Sequence, residues 1–164
     1  MIFVTVGSMF PFDRLVRAID ELAGAGRLQD DVLAQIGDGQ FVPVHIRYRR
    51  FMNRPEYELA ISESSSMVAH AGMGTIEMAL AAEKPLLVVP RSGRLGEHVN
   101  DHQFATAEKF EHLGHVLAAY DVDSIPAALD RLAKFVPTPR SPDRHRLALR
   151  IGRFIDDVLE RNQA

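Results

Sequence analysis

The chain has 164 residues, 46% of them hydrophobic and 25% charged, with a net charge of -3 and no cysteine. That length and apolar content fit one domain able to bury its own core, and the nearly balanced charge argues against an electrostatic grip on nucleic acid. Without cysteine, disulfides, thiolate catalysis and cysteine-rich zinc sites are excluded, and a reducing, cytoplasmic setting is expected.

The opening MIFVTVGSMF has no basic n-region and is broken by Gly7, so it reads as a strand over 2–6 and not as a signal peptide. Phe12, Leu15, Val16, Ile19 and Leu22 then share one helical stripe across residues 11–22. Residues 32–36 form a second apolar run closed by Gly37-Asp38-Gly39, and 42–48 suggest a third strand. The basic cluster Arg47, Arg49 and Arg50 reads as a solvated face. A short helix is expected over 55–63, a brief strand over 67–69 and a helix over 75–82, where strong helix formers dominate. Next come a buried strand at 86–89, a polar loop at 91–99, a helix over 100–113 and a last strand at 115–119. Ser124 is placed to cap a helix through Phe135. The Pro-rich stretch 137–142 leads to a final helix over about 143–161, on which Leu147, Ile151, Phe154, Ile155 and Val158 form an apolar stripe. The expected division is a domain over 1–136 and a linker with a C-terminal helix over 137–164, packing on the domain or on a partner. No apolar run approaches the roughly 20 residues of a membrane span.

Strands alternating with helices imply an α/β fold, a Rossmann-like, mainly parallel sheet with helices on both faces. Ligands in such folds bind beyond the carboxyl ends of the strands. Three loops share that rim, at 7–11, 70–75 and 91–100.

The central feature is His70-Ala-Gly-Met-Gly-Thr75, where a strand hands over to a helix. Gly72 and Gly74 let a backbone approach a ligand closely, and the first helical turn, including Met73, offers free N–H groups to an anion. A helix start favours a phosphate by only about 0.3–2 kcal/mol, so side chains must help. Thr75, His70 and, across the rim, Gly7-Ser8 are the candidates, with Arg91 and Arg94 as cations for a departing diphosphate. Small residues at a strand end also serve packing, and a GxG alone leaves both readings open.

The second cluster, Gly96-Glu-His-Val-Asn-Asp-His-Gln103, tips the balance, because seven of its eight residues are polar or glycine at a helix entry. An Asn or Asp cap there is compatible with binding. His98 and His102 stand four apart, yet no third ligand is evident and no metal site is expected. His45, His112, His115 and His145 have no such context.

The order VTVGS with PFDRL, then HAGMGTI, KPLLVVPR and GEHVNDHQ resembles the glycosyltransferase family 28 C-terminal domain over about residues 2–113. The resemblance is to its short stand-alone branch. That branch holds the catalytic subunit of a two-subunit dolichol-diphosphate N-acetylglucosamine transferase and bacterial exopolysaccharide and capsule transferase subunits. It implies the C-terminal, donor-binding half of a GT-B enzyme. The donor diphosphate would lie against Gly7, Ser8, His70, Gly72, Met73, Gly74, Thr75 and Arg91. Sugar and ribose would lie against Glu77, Glu97, His98, Asn100, Asp101, His102 and Gln103. Larger relatives carry a ribose-binding glutamate three positions after the threonine; here that position is Met78, and the nearest carboxylate is Glu77, about 100° around the helix.

The expected reaction moves a sugar, with inversion, from a UDP-sugar to a lipid-diphosphate-linked saccharide at the inner membrane face, with no cofactor. A membrane-associated partner subunit would supply the acceptor half; homo-oligomerisation stays open, and no nucleic acid is involved. No residue stands out as the catalytic base. The alternatives are a non-catalytic nucleotide-sugar-binding or activating subunit, and a sugar-nucleotide epimerase fragment, which would need a second domain in the same chain.

Overall fold

The computed structural model describes residues 1–139; the expected final helix and the second half of the Pro-rich segment lie outside them. Six strands form one fully parallel sheet: β1 (Ile2–Thr5), β2 (Val32–Gln35), β3 (Arg47–Arg49), β4 (Ser66–His70), β5 (Leu86–Val89) and β6 (Leu117–Ala118). Their spatial order is β3-β2-β1-β4-β5-β6. The helices are α1 (Asp13–Gly24), α2 (Arg54–Glu63), α3 (Met73–Ala81), α4 (His102–His112) and α5 (Ile125–Leu132).

The continuous apolar runs become strands because both faces of the sheet are covered. Alternation along β1 shows this directly: Ile2 and Val4 join one core cluster with Leu15, Val16 and Ile19 of α1 and Ile125 and Leu132 of α5. Phe3 points the other way, into a cluster with Ile61 of α2, Ile76 of α3 and Ala107 of α4. The register is tight at the centre, with Val4 opposite both Ala34 of β2 and Val68 of β4.

The third strand is shorter than the apolar pattern over 42–48 suggests. Asp20, buried on α1, accepts hydrogen bonds from the N–H groups of Val44, His45 and Ile46, so these residues bond to a carboxylate instead of to β2. Burial alone would raise the carboxyl pKa of Asp20, but these N–H donors and the His45 ring outweigh it and hold the pKa below its usual value. Pairing with β2 begins only at Arg47, and β3 is an exposed edge.

Other boundaries shift for local reasons. α2 starts with a full capping box between Asn53 and Glu56. α4 starts at His102 and not at Asn100, because Asp101 directs its carboxylate at the Gly93 N–H and Ser92 hydroxyl of the preceding loop. That loop contains a 3₁₀ turn, Gly93–Leu95, where an irregular segment was expected. Ser124 sits at the N-cap of α5, but its hydroxyl donates back to the Asp121 carbonyl and does not cap the helix, which ends at Leu132. Residues Val136 to Pro139 run beside Leu80, Ala81 and Glu83 at the end of α3. No helix among the described residues is long and apolar enough to cross a membrane.

Candidate functional site

Strand order reverses direction between β1 and β4, so the loops leaving these neighbours turn to opposite faces and a crevice opens between them. A cavity of about 730 Å³ lies there. It gathers Gly7, Ser8, His70, Gly72, Gly74, Thr75, Arg91 and His98 from the three predicted loops, and His102 and Gln103 from the start of α4. Met73, Glu77, Glu97, Asn100 and Asp101 are not among its lining residues.

The turn between β4 and α3 has two unlike halves. Gly7, in the left-handed region at φ +72°, and Gly72 close on the His70 ring from two sides. A Cβ on Gly7 would meet the ring at 2.7 Å, and one on Gly72 at 2.1 Å. Gly74 is the opposite case: a Cβ there would meet nothing within 4 Å. Gly72 is the N-cap of α3 and supplies no side-chain bond, so first-turn N–H groups stay available to an anion at the cavity. Met73 contributes to that turn through its backbone while its side chain is largely exposed. Thr75, in the same turn, brings Oγ1 to 3.3 Å from His70 Nε2.

Electrostatics at this end are set by burial. Desolvation, reinforced by Arg91 and His98, pushes the His70 pKa down to about 3, so the ring is neutral at physiological pH, and its buried Nδ1 has no hydrogen-bond partner among the described residues. Burial also lowers Arg91, to about 10 against an opposing pull from Glu97, which leaves the guanidinium charged. Its Nη2 donates to the carbonyls of Val6 at 2.6 Å and Phe10 at 2.5 Å, and the guanidinium lies 5.1 Å from the Phe12 ring centroid. Arg91 therefore anchors the β1–α1 loop while placing a positive charge beside the cavity. Arg94, on the same loop, is exposed and lies outside the cavity.

The polar cluster at 96–103 divides by task. Glu97 forms a bidentate pair with Arg14 of α1 at 2.7 and 2.9 Å and accepts the Ser92 N–H, tying the β5–α4 loop to the first helix. Asn100 Oδ1 accepts the His102 N–H and contacts His102 Nδ1. His98 and His102 pack ring to ring at 4.6 Å, with Phe10 behind His98. Burial, then His102 and Arg91, lowers the His98 pKa. Gln103, only 2% exposed, accepts the N–H groups of Ala71 and Arg91 on one oxygen, so it joins the ends of β4 and β5 under the cavity. Among the described residues no group of three or more His, Cys, Asp or Glu side chains is arranged to hold a metal ion.

The model of the glycosyltransferase family 28 C-terminal domain matches residues 1–152. The chain belongs to this family. It is 36% identical over 94 residues to the UDP-N-acetylglucosamine transferase subunit ALG13 of Eremothecium gossypii, covering 56% of this chain but only 44% of that protein. The solution structure of ALG13 superposes with a TM-score of 0.58 at 21% identity, covering 89% of this chain and 93% of that one. The kitacinnamycin glycosyltransferase gives 0.60 at 23%, and SnogD from Streptomyces nogalater 0.55 at 22%; the chain covers 80% of itself but only 34% of either enzyme. These structural likenesses establish the fold: the GT-B C-terminal half.

Within this family 28 domain the cavity has a second wall that the motifs did not disclose. Phe51 and Met52 of the β3–α2 loop, Tyr57 of α2 and Met78 of α3 form an apolar side opposite the β1–α1 loop, and Gln35 sits between the two. Met52, Tyr57 and Met78 continue into an adjoining groove of about 660 Å³ between α2 and α3. Tyr57 stacks edge-on against Phe3 at 5.2 Å, and burial raises its pKa against the pull of Thr5 and Thr75. The sequence did carry one signal: Gln35 is a polar residue inside an apolar run that both faces of the sheet bury.

Proposed function

We propose that this chain is the donor-binding catalytic subunit of a glycosyltransferase, moving a sugar from a UDP-sugar to a lipid-diphosphate-linked saccharide in polysaccharide or glycolipid synthesis. The observation that carries the reading is the polarity of the cavity. One end offers first-turn N–H groups of α3, Thr75, Ser8 and the charge of Arg91, beside the apolar side chains of Met9, Phe10 and Val99; the other is the apolar wall of Phe51, Met52, Tyr57 and Met78; no Asp or Glu lines either. A nucleoside diphosphate has that same division into an anion and a flat, weakly polar base. His98, His102 and Gln103 then border the third side, where the transferred sugar would project.

In this reading the chain's residues stabilise the leaving diphosphate through N–H groups and cationic charge, and no divalent metal is needed. A base must still take the acceptor proton as inversion proceeds. The described lining residues offer imidazoles and no carboxylate, which supports a base supplied by a partner subunit across the cleft. Family membership and the likeness to a protein named as a transferase subunit support a two-subunit enzyme. The same partner would bring the chain to the inner face of the membrane. The second reading, a nucleotide-sugar-binding subunit without catalytic residues of its own, draws on the same lack of lining carboxylates.

Calorimetry of the chain against UDP, GDP and ADP, with and without magnesium, tests the donor site. A preference for UDP independent of magnesium is expected, and equal, negligible binding of all three would refute the site. Transfer to a lipid-diphosphate acceptor, assayed with the chain alone and then with membranes containing the partner, tests the subunit assignment. Activity is expected only in the second arm. Full turnover by the chain alone would overturn partner dependence. Transfer by partner membranes without the chain would favour the non-catalytic reading.

A further inference from the structure

Gln35 ends β2 with its side chain 4% exposed, in a sheet whose central strands are otherwise almost wholly apolar. Burying a carboxamide is costly unless its donors and acceptor are satisfied, and all of them are. Nε2 donates to the Gly7 carbonyl at 3.0 Å and to the Arg50 carbonyl at 3.1 Å, while Oε1 accepts the Thr5 hydroxyl at 2.7 Å. Thr5 Oγ1 in turn accepts the Gly7 N–H at 3.2 Å and the Tyr57 hydroxyl at 3.3 Å.

The partners of the two amide protons belong to different walls of the cavity. Gly7 opens the β1–α1 loop at the anion end; Arg50 immediately precedes Phe51 and Met52 of the apolar wall. The Arg50 loop is itself held down, since its guanidinium donates to the Gly37 and Gly39 carbonyls and its carbonyl also accepts the Gly37 N–H. Each wall is thus tied down, and the Gln35 amide bridges them directly at the cavity floor, beside the longer link from Tyr57 through Thr5 to Gly7.

We propose that Gln35 is a positioning residue that sets the separation of the two walls, and therefore governs only ligands that touch both. This rests on the donor-site reading above. A nucleoside diphosphate spans the cavity and registers the separation; a nucleoside or pyrophosphate occupies one wall and does not. A residue needed merely for the fold would affect all three alike.

The test compares wild type with Gln35→Met, which keeps the length of the side chain but removes both donors and the acceptor. UDP is titrated by calorimetry, uridine and pyrophosphate by ligand-observed NMR, and far-UV circular dichroism confirms folding. UDP affinity is expected to fall at least about tenfold, with uridine and pyrophosphate held within about twofold of wild type. Unchanged UDP affinity in the folded variant, or a parallel loss for all three ligands, overturns the proposal. If Gln35→Met does not fold, Gln35→Glu takes its place, because it keeps an acceptor for the Thr5 hydroxyl while removing both amide protons that bridge Gly7 and Arg50; the same split is expected and the same outcomes refute it. Wild type that binds no UDP would refute the donor site and this role together, and the wild-type arm alone identifies that failure.

Discussion

Gly72 and Gly74 belong to one motif and lie two residues apart, yet the structure uses them in opposite ways. At Gly72 the missing Cβ is space already taken by the His70 ring, which Gly7 confines from the other side. At Gly74 the missing Cβ is open space on the cavity wall. The first glycine builds the strand end; the second faces open space. In the donor-site reading proposed above, the packed half fixes the turn and the open half faces the ligand.

The largest effect should come from filling the packed half. Gly72→Ala is expected to cost about 1–3 kcal/mol of stability by overpacking against His70, read from chemical unfolding. Adding His70→Ala should recover much of that loss, and strict additivity of the two changes would show that the ring is not what Gly72 accommodates. Gln103→Ala should also lower stability by about 1–3 kcal/mol, because it strands the buried N–H groups of Ala71 and Arg91.

Filling the open half should do the reverse. Gly74→Val is expected to leave the fold intact while weakening UDP more than about tenfold in calorimetry. Gly74→Ala should keep or raise stability by up to about 1 kcal/mol through helix propensity, and still reduce binding. A destabilised Gly74→Ala protein would end the contrast between the two glycines.

A pH dependence also belongs to the packed half. The His70 pKa, lowered by burial and then by Arg91 and His98, stands at about 3 in the folded chain against 6.5 for an ordinary histidine. The unfolded chain gains a proton below 6.5 that the folded chain refuses, so this contribution is intact above pH 6.5. It is lost progressively as pH falls toward 3, at up to about 1.4 kcal/mol per pH unit for one proton. Urea unfolding between pH 7 and 4 should show a shallower slope for His70→Asn than for wild type. Equal slopes would mean that His70 does not stay neutral in the fold.

Much of this architecture was legible in the linear pattern. Apolar runs at 2–6, 32–36, 67–69 and 86–89 read as buried strands, and glycine with a histidine at the end of one of them located the rim. That the strand expected over 42–48 starts only at Arg47 was not recoverable from pattern, since the carboxylate that takes the preceding N–H groups, Asp20, lies more than twenty residues earlier on a helix. Glu97 and Asp101 looked like ligand-facing residues for a related reason. Composition marks a polar loop but does not say that Arg14 or the Gly93 N–H has claimed its carboxylates.

The sequence by itself determined the α/β alternation, the three rim loops and the family, because these follow from local periodicity and from short contiguous motifs. Tertiary structure alone decided which polar side chains face the cavity and which hold it together. Gln35, Phe51, Met52 and Tyr57 stand far from the glycine turn in the chain. They reach it only because parallel pairing sets β2 beside β1 and β1 beside β4, bringing the carboxyl ends of all three strands to one edge.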